Sequence, residues 1–125
     1  MKIAVAKEID PSEPRVAASP DTVKKYRAIG AEVAIEPGAG IKSGLPDSEF
    51  TAVGATVSAD ALVDADIVIK VKRPEASELG KYKRGALVLH ALRGRIGYER
   101  FFALLRDWTA RHRHATVTTA QFVDL

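Results

Sequence analysis

The chain has 125 residues, 46% of them hydrophobic, with 19 Lys and Arg against 16 Asp and Glu and no Cys. That is enough for one compact core and too little for two, it excludes disulfides and thiolate metal sites, and no apolar run reaches the roughly 18 residues of a membrane span. The formal charge of +3 is unevenly spread: residues 1–80 carry 10 basic against 13 acidic groups, and residues 81–125 carry 9 against 3. After Lys83 every basic residue except the histidines is Arg, so the last third obeys different constraints from the rest. MKIAVAK at the start reads as a strand and has no signal-peptide character, so a soluble, cytoplasmic domain without direct membrane insertion is expected.

KIAVAK (2–7) is the first predicted strand, and IDPSEP (9–14), with two prolines, is a loop. Ser19 is placed as an N-cap, Pro20 at the first helical position and Asp21 on the positive end of the dipole. Val23, Tyr26 and Ile29 recur at helical spacing, and Gly30 stops the helix. AEVAIE (31–36) is a second strand, and PGAGIKSGLPD (37–47) a loop. DSEFTAVGA is a short helix with Asp47 capping and Gly54 stopping it, and ATVS (55–58) a third strand. ADALVDA (59–65) is predicted as a helix of about two turns.

DIVIKVK (66–72) is the strongest strand, its apolar residues nearly continuous, as in a parallel strand covered on both faces. A connector with one helical turn leads to ALVLHA (86–91). Residues 97–112 form an amphipathic helix with Tyr98, Phe101, Phe102, Leu105 and Trp108 on one stripe, and ATVT (115–118) is a last strand. Strands alternating with helices at short intervals predict a doubly wound, mostly parallel sheet with helices on both faces. A single domain spanning residues 1–125 is expected.

In such sheets ligands sit beyond the carboxyl ends of the strands, where Arg15 and Lys72 both fall. A guanidinium with an ammonium beside it suits a small carboxylate, although either residue alone reads better as a solvated surface charge, a balance that the strand-end placement narrows without reversing. No G-x-G-x-x-G follows any strand, and GAG at 38–40 reads as a turn, so the chain is expected to bind no dinucleotide alone. His90 lies inside an apolar strand, and His112 and His114 are spaced wrongly on a helix to share a metal, so no metal site is expected. No catalytic residue is assigned. The aromatics of 97–112 lie on the buried stripe rather than on a basic face, which argues against nucleic acid.

MKIAVAKE, EPRVAASPDTVKK, GAEVAIEPGAG, a loop ending LPD, AVGATV and ADIVIKVKRP occur in that order. Together they resemble, over about residues 1–90, the start of the proton-translocating NAD(P) transhydrogenase alpha subunit. They resemble less closely the N-terminal half-domain of alanine dehydrogenase. The resemblance implies a flavodoxin-like first domain that packs against a separate NAD(H)-binding Rossmann domain. The full subunit would be a homodimer held peripherally at the inner membrane by its partner subunits, passing hydride between NAD(H) and NADP(H) with proton translocation. Alone, lacking the nucleotide domain, this chain is expected to be inactive.

By resemblance to alanine dehydrogenases, Arg15 and Lys72 hold the substrate carboxylate and carbonyl; by resemblance to transhydrogenases they would be structural remnants near the cofactor cleft. The position of their catalytic His is occupied here by Arg93, which favours the transhydrogenase side. From about residue 91 the resemblance fades. Gln121 and Asp124 match the last two positions of the family's cofactor-proximal loop, while its Arg falls at Thr116. The Arg-rich tail is read either as divergent or as truncated and frame-shifted. Two other readings stay open: a half-domain binding a small oxo-acid, and a non-enzymatic α/β module whose basic tail docks an acidic partner.

Overall fold

The computed structural model describes residues 1–82, 87–90 and 97–111. Five strands among them, β1 (Lys2–Val5), β2 (Glu32–Ile35), β3 (Thr56–Val57), β4 (Ile67–Lys70) and β5 (Leu87–His90), form one sheet in the order β3-β2-β1-β4-β5. Every pairing is parallel, with Ile3 opposite Val33 on one side and Ile67 on the other. Among these strands the direction of winding reverses between β1 and β4, the position where open α/β sheets leave a crevice. The α/β class with a parallel sheet is therefore as the sequence pattern implies.

Local signals build the first helix, α1 (Pro20–Ala28). Ser19 is extended, its hydroxyl accepts the Thr22 N–H at 3.3 Å, and Pro20 occupies the first turn, where its missing N–H costs nothing. Gly30, at φ +87°, turns the chain out of the helix into β2. Two further α-helices follow among the described residues, α2 (Asp47–Ala52) and α3 (Tyr98–Arg111).

One face of the sheet carries the main core. Ile3, Val5, Val33, Ile35, Ile67 and Ile69 pack there against Val23 and Tyr26 of α1, Phe50 of α2 and Phe101, Phe102 and Leu105 of α3. Three members of the apolar stripe expected for the last helix are thus buried. The opposite face is smaller: Ala4, Ala6 and Val68 pack against Leu62 and Ala65, with Tyr82 alongside. Both faces are covered; among the described residues the second is covered by a turn segment and the 3-10 helix Ala76–Lys81 rather than by an α-helix.

Two local expectations are corrected. Residues 59–65 form successive turns, not a helix. The Asp60 N–H is taken by the Ser58 hydroxyl at 3.1 Å, and Asp64 sits at φ +58°, so no helical ladder propagates. Asp47 does not cap α2 from outside; it is the first helical residue, preceded by Pro46. Its carboxylate reaches back to accept the Gly38 N–H at 2.9 Å.

Among the described residues no helix is long and apolar enough to cross a membrane. The expected strand 115–118 lies outside the described residues.

Candidate anion-binding rim

Beyond the carboxyl ends of β1 and β4, two loops meet. The first, residues 6–19, is shaped by its own side chains. The Asp10 carboxylate accepts both the N–H and the hydroxyl of Ser12, at 2.8 and 2.7 Å, and the Asp10 carbonyl accepts the Glu13 N–H at 3.1 Å. Those Ser12 bonds, with the Lys72 charge, hold the Asp10 carboxyl below its usual range, against the opposing effect of burial. From the neighbouring loop, Lys42 Nζ donates to the Pro11 carbonyl at 3.1 Å and the Ser43 hydroxyl to the Pro14 carbonyl at 2.6 Å.

Arg15 ends this loop's polar stretch. Its Nε and Nη2 donate to the two oxygens of Glu13 at 2.8 and 2.9 Å, and its backbone N–H to Oε1 at 3.0 Å. These bonds, with the charges of Arg15 and Lys72, bring the Glu13 carboxyl down to about 2 despite burial. Lys72, on the second loop, lies 3.7 Å from the Asp10 carboxylate. Arg15 and Lys72 therefore stand on one rim, both within electrostatic reach of Glu13, as their strand-end positions suggest. Each already has an acidic neighbour in the chain, which the sequence pattern does not reveal.

Beneath the rim lies a buried ionic cluster. Lys70, the last residue of β4, places its ammonium on the Glu78 carboxylate and 3.6 Å from Glu8 Oε2. Glu8 in turn accepts the Val71 N–H at 2.7 Å and the Lys72 N–H at 3.4 Å. Glu78 completes a capping box with Glu75 at the start of its 3-10 helix. Burial raises the Glu78 pKa, but the Lys70 hydrogen bond, the Glu75 N–H and the nearby positive charges outweigh it and hold the carboxyl low. Tyr82 lies within electrostatic reach of this cluster; burial, then the charges of Glu78, Glu36 and Glu8, push its hydroxyl up to about 12.

Glu8, Glu13, Lys70 and Glu78 are the residues that motif reading misses. A Lys inside the apolar run IVIK, with all four strand residues buried, is the one signal available in sequence. Gln121, Asp124 and Arg93 lie outside the described residues, as do His112 and His114.

The Gly38–Gly40 turn does not fit the pyrophosphate of a dinucleotide. The Gly38 N–H is already given to Asp47, and a Cβ at Gly40 would lie 2.6 Å from the Leu45 carbonyl and 2.8 Å from the Phe50 ring. Gly40 serves close packing of the loop onto Phe50 of α2, and Gly38, at φ +73°, serves the turn itself.

Residues 4–108 match the family described as "Alanine dehydrogenase/PNT, N-terminal domain". The chain is similar to the first of the polypeptides that make up NAD(P) transhydrogenase subunit alpha in Rhodospirillum rubrum, 45% identical over 97 residues, covering 71% of this chain and 25% of that protein. It is also similar to alanine dehydrogenase 1 of Staphylococcus aureus, 39% identical over 89 residues, covering 70% of this chain and 24% of that one. The crystal structure of transhydrogenase from Sinorhizobium meliloti superposes with a TM-score of 0.70 at 38% identity, covering 85% of this chain and 31% of that chain. The chain thus spans about a quarter of the length of the curated relatives it matches. With a parallel sheet of this order and a family match over most of its length, the chain belongs to the alanine dehydrogenase/PNT N-terminal domain family.

Proposed function

We propose that residues 1–125 form the first domain of an NAD(P) transhydrogenase alpha subunit. In the full assembly it would serve hydride transfer between NAD(H) and NADP(H) coupled to proton translocation, and it is inactive alone. The observation that carries this reading is the 45% identity to the transhydrogenase subunit of Rhodospirillum rubrum, above the 39% to the alanine dehydrogenase of Staphylococcus aureus. The packed Gly38–Gly40 turn supports the view that NAD(H) belongs to a separate domain. The partners of the domain are then that nucleotide domain and the other subunits, with the complete subunit a cytoplasmic homodimer at the inner membrane.

A chimera tests the proposal. Residues 1–90 replace the corresponding segment of the Rhodospirillum rubrum subunit, and hydride transfer between the two nicotinamides is assayed. Retained transfer supports the reading; a folded chimera without transfer overturns it. Titrating NADH into the isolated chain should leave nicotinamide fluorescence unchanged, and stoichiometric binding would refute the separate location of the cofactor.

A second reading is favoured by the placement of Arg15 and Lys72 on one rim at the switch between β1 and β4. In it the rim holds a small oxo-acid by its carboxylate, as in an alanine-dehydrogenase-type half-domain. Pyruvate should then perturb the NMR resonances of residues 8–15 and 71–73, and Arg15→Ala should abolish the effect. No perturbation at millimolar pyruvate excludes this reading.

A further inference from the structure

We propose that Glu13 is a positioning residue: it holds the Arg15 guanidinium by one edge so that an incoming carboxylate meets the other. This inference rests on the second reading, that Arg15 belongs to an anion site.

The first argument is an asymmetry of exposure. The Glu13 side chain is 3% exposed and that of Arg15 is 69% exposed. An ordinary surface ion pair leaves both long side chains free to wander, and its ordering contributes little. Here the carboxylate is the anchored end, and the guanidinium projects from it into solvent. Burying a carboxylate is costly unless its lone pairs are satisfied, and the three hydrogen bonds that satisfy Glu13 come from Arg15.

The second argument is that the anchor is itself held. Glu13 lies between Pro11 and Pro14, whose rings restrict the backbone on either side. The carbonyls of those prolines are tied to Lys42 and Ser43, and the Glu13 N–H is tied to Asp10. A side chain mounted on such a backbone has little room to follow a mobile partner.

The third argument is the fork geometry. A guanidinium has five N–H bonds in one plane. Glu13 takes the Nε hydrogen and one from Nη2. Both hydrogens of Nη1 and the second of Nη2 remain, and among the described residues nothing accepts from them. That edge is itself a two-point fork for a carboxylate. The ligand therefore approaches end-on, with Lys72, whose ammonium among the described residues has Asp10 as its ion-pair partner at 3.7 Å, as the adjustable second cation.

The sign of a mutational effect separates positioning from simple charge proximity. A negative charge that is merely nearby opposes anion binding, so neutralising it would strengthen binding. A positioning carboxylate does the reverse, because its loss frees Arg15 and the ordering must be supplied on binding.

The test uses the isotopically labelled 125-residue chain with pyruvate as probe. In the wild type the Arg15 Nε–H should be rigid on the nanosecond scale and slow to exchange with water. Glu13→Gln removes half of the fork, and Glu13→Asp keeps the charge but shortens the reach. Both should release that N–H and weaken pyruvate binding about threefold to tenfold. An Arg15 Nε–H as mobile in the wild type as in Glu13→Gln overturns the proposal, as does pyruvate binding that is unchanged or tighter in that variant. If wild-type protein binds no pyruvate at all, the anion-site reading falls, and the Nε–H measurement still decides whether Glu13 positions Arg15. If Glu13→Gln fails to fold, Glu13→Asp and the wild-type measurement carry the test.

Discussion

Lys70 Nζ lies 3.6 Å from Glu8 Oε2 and on the Glu78 carboxylate as well, so one buried ammonium joins the loop after β1 to the 3-10 helix after β4. Removing it leaves two carboxylates buried without their cation. Lys70→Met should therefore lower stability by about 3–5 kcal/mol in urea denaturation. Adding Glu8→Gln and Glu78→Gln to that variant should recover some of the loss, because the stranded charges are then gone.

Glu13 makes stability depend on acid. Its folded-state carboxyl is held down to about 2 from an ordinary value of 4.5. A lowered pKa means the folded state binds the proton less readily than the unfolded chain. The contribution is therefore complete above about pH 4.5 and is lost as the pH falls toward 2. Asp10 and Glu78, also depressed, titrate the same way but remain in Glu13→Gln. Urea midpoints of that variant and the wild type, measured from about pH 5.5 down to 2, should converge as the pH drops. A constant gap would contradict the assignment.

The docking of α3 rests on aromatic contacts. Tyr26 of α1 lies 5.4 Å from Phe102 and 6.5 Å from Phe101, between ring centroids, and the two Phe rings meet edge to face at 5.6 Å. Phe101 is fully buried, and Phe101→Ala should cost about 3–5 kcal/mol of unfolding free energy. Lys25 lies 5.7 Å above the Phe102 ring, and Lys25→Ala should cost no more than about 1 kcal/mol. Similar losses for both would mean that the rings are not the main attachment.

Gly40→Ala tests why the Gly38–Gly40 turn is glycine-rich. The added Cβ meets the Leu45 carbonyl, and Leu45 is tied back by its own N–H to the Gly40 carbonyl at 2.9 Å. The backbone has no free direction in which to yield, so a thermal melt should show a loss of about 1–3 kcal/mol. Gly80, where a Cβ meets nothing within 4 Å, is the control, with Gly80→Ala expected within about 0.5 kcal/mol of wild type.

How far the sequence is legible follows from the range of the forces involved. Helix α1 is readable because Ser19, Pro20 and Gly30 act on their immediate neighbours. The strand predicted over 66–72 ends earlier, at Lys70, because the Val71 and Lys72 N–H groups are given to the Glu8 side chain rather than to a neighbouring strand. That partner is more than 60 residues away, and no local pattern announces it. The same holds for the rim. Arg15 and Lys72 are legible as cations at strand ends, whereas the pairing of Lys72 with Asp10 and of Lys70 with Glu8 exists only once β1 and β4 lie side by side. The alanines and leucine of segment 59–65 suit a helix, while Ser58, Asp60 and Asp64 redirect the backbone one residue at a time, and the second influence prevails.

The ties from Lys42 and Ser43 to the carbonyls of Pro11 and Pro14 bear on mechanics as well as shape. They join a stretch without regular secondary structure to the segment that connects β2 and α2. Force applied to the loop would therefore pass through these two hydrogen bonds to the connection between β2 and α2, and loosening either should soften the loop without touching the sheet.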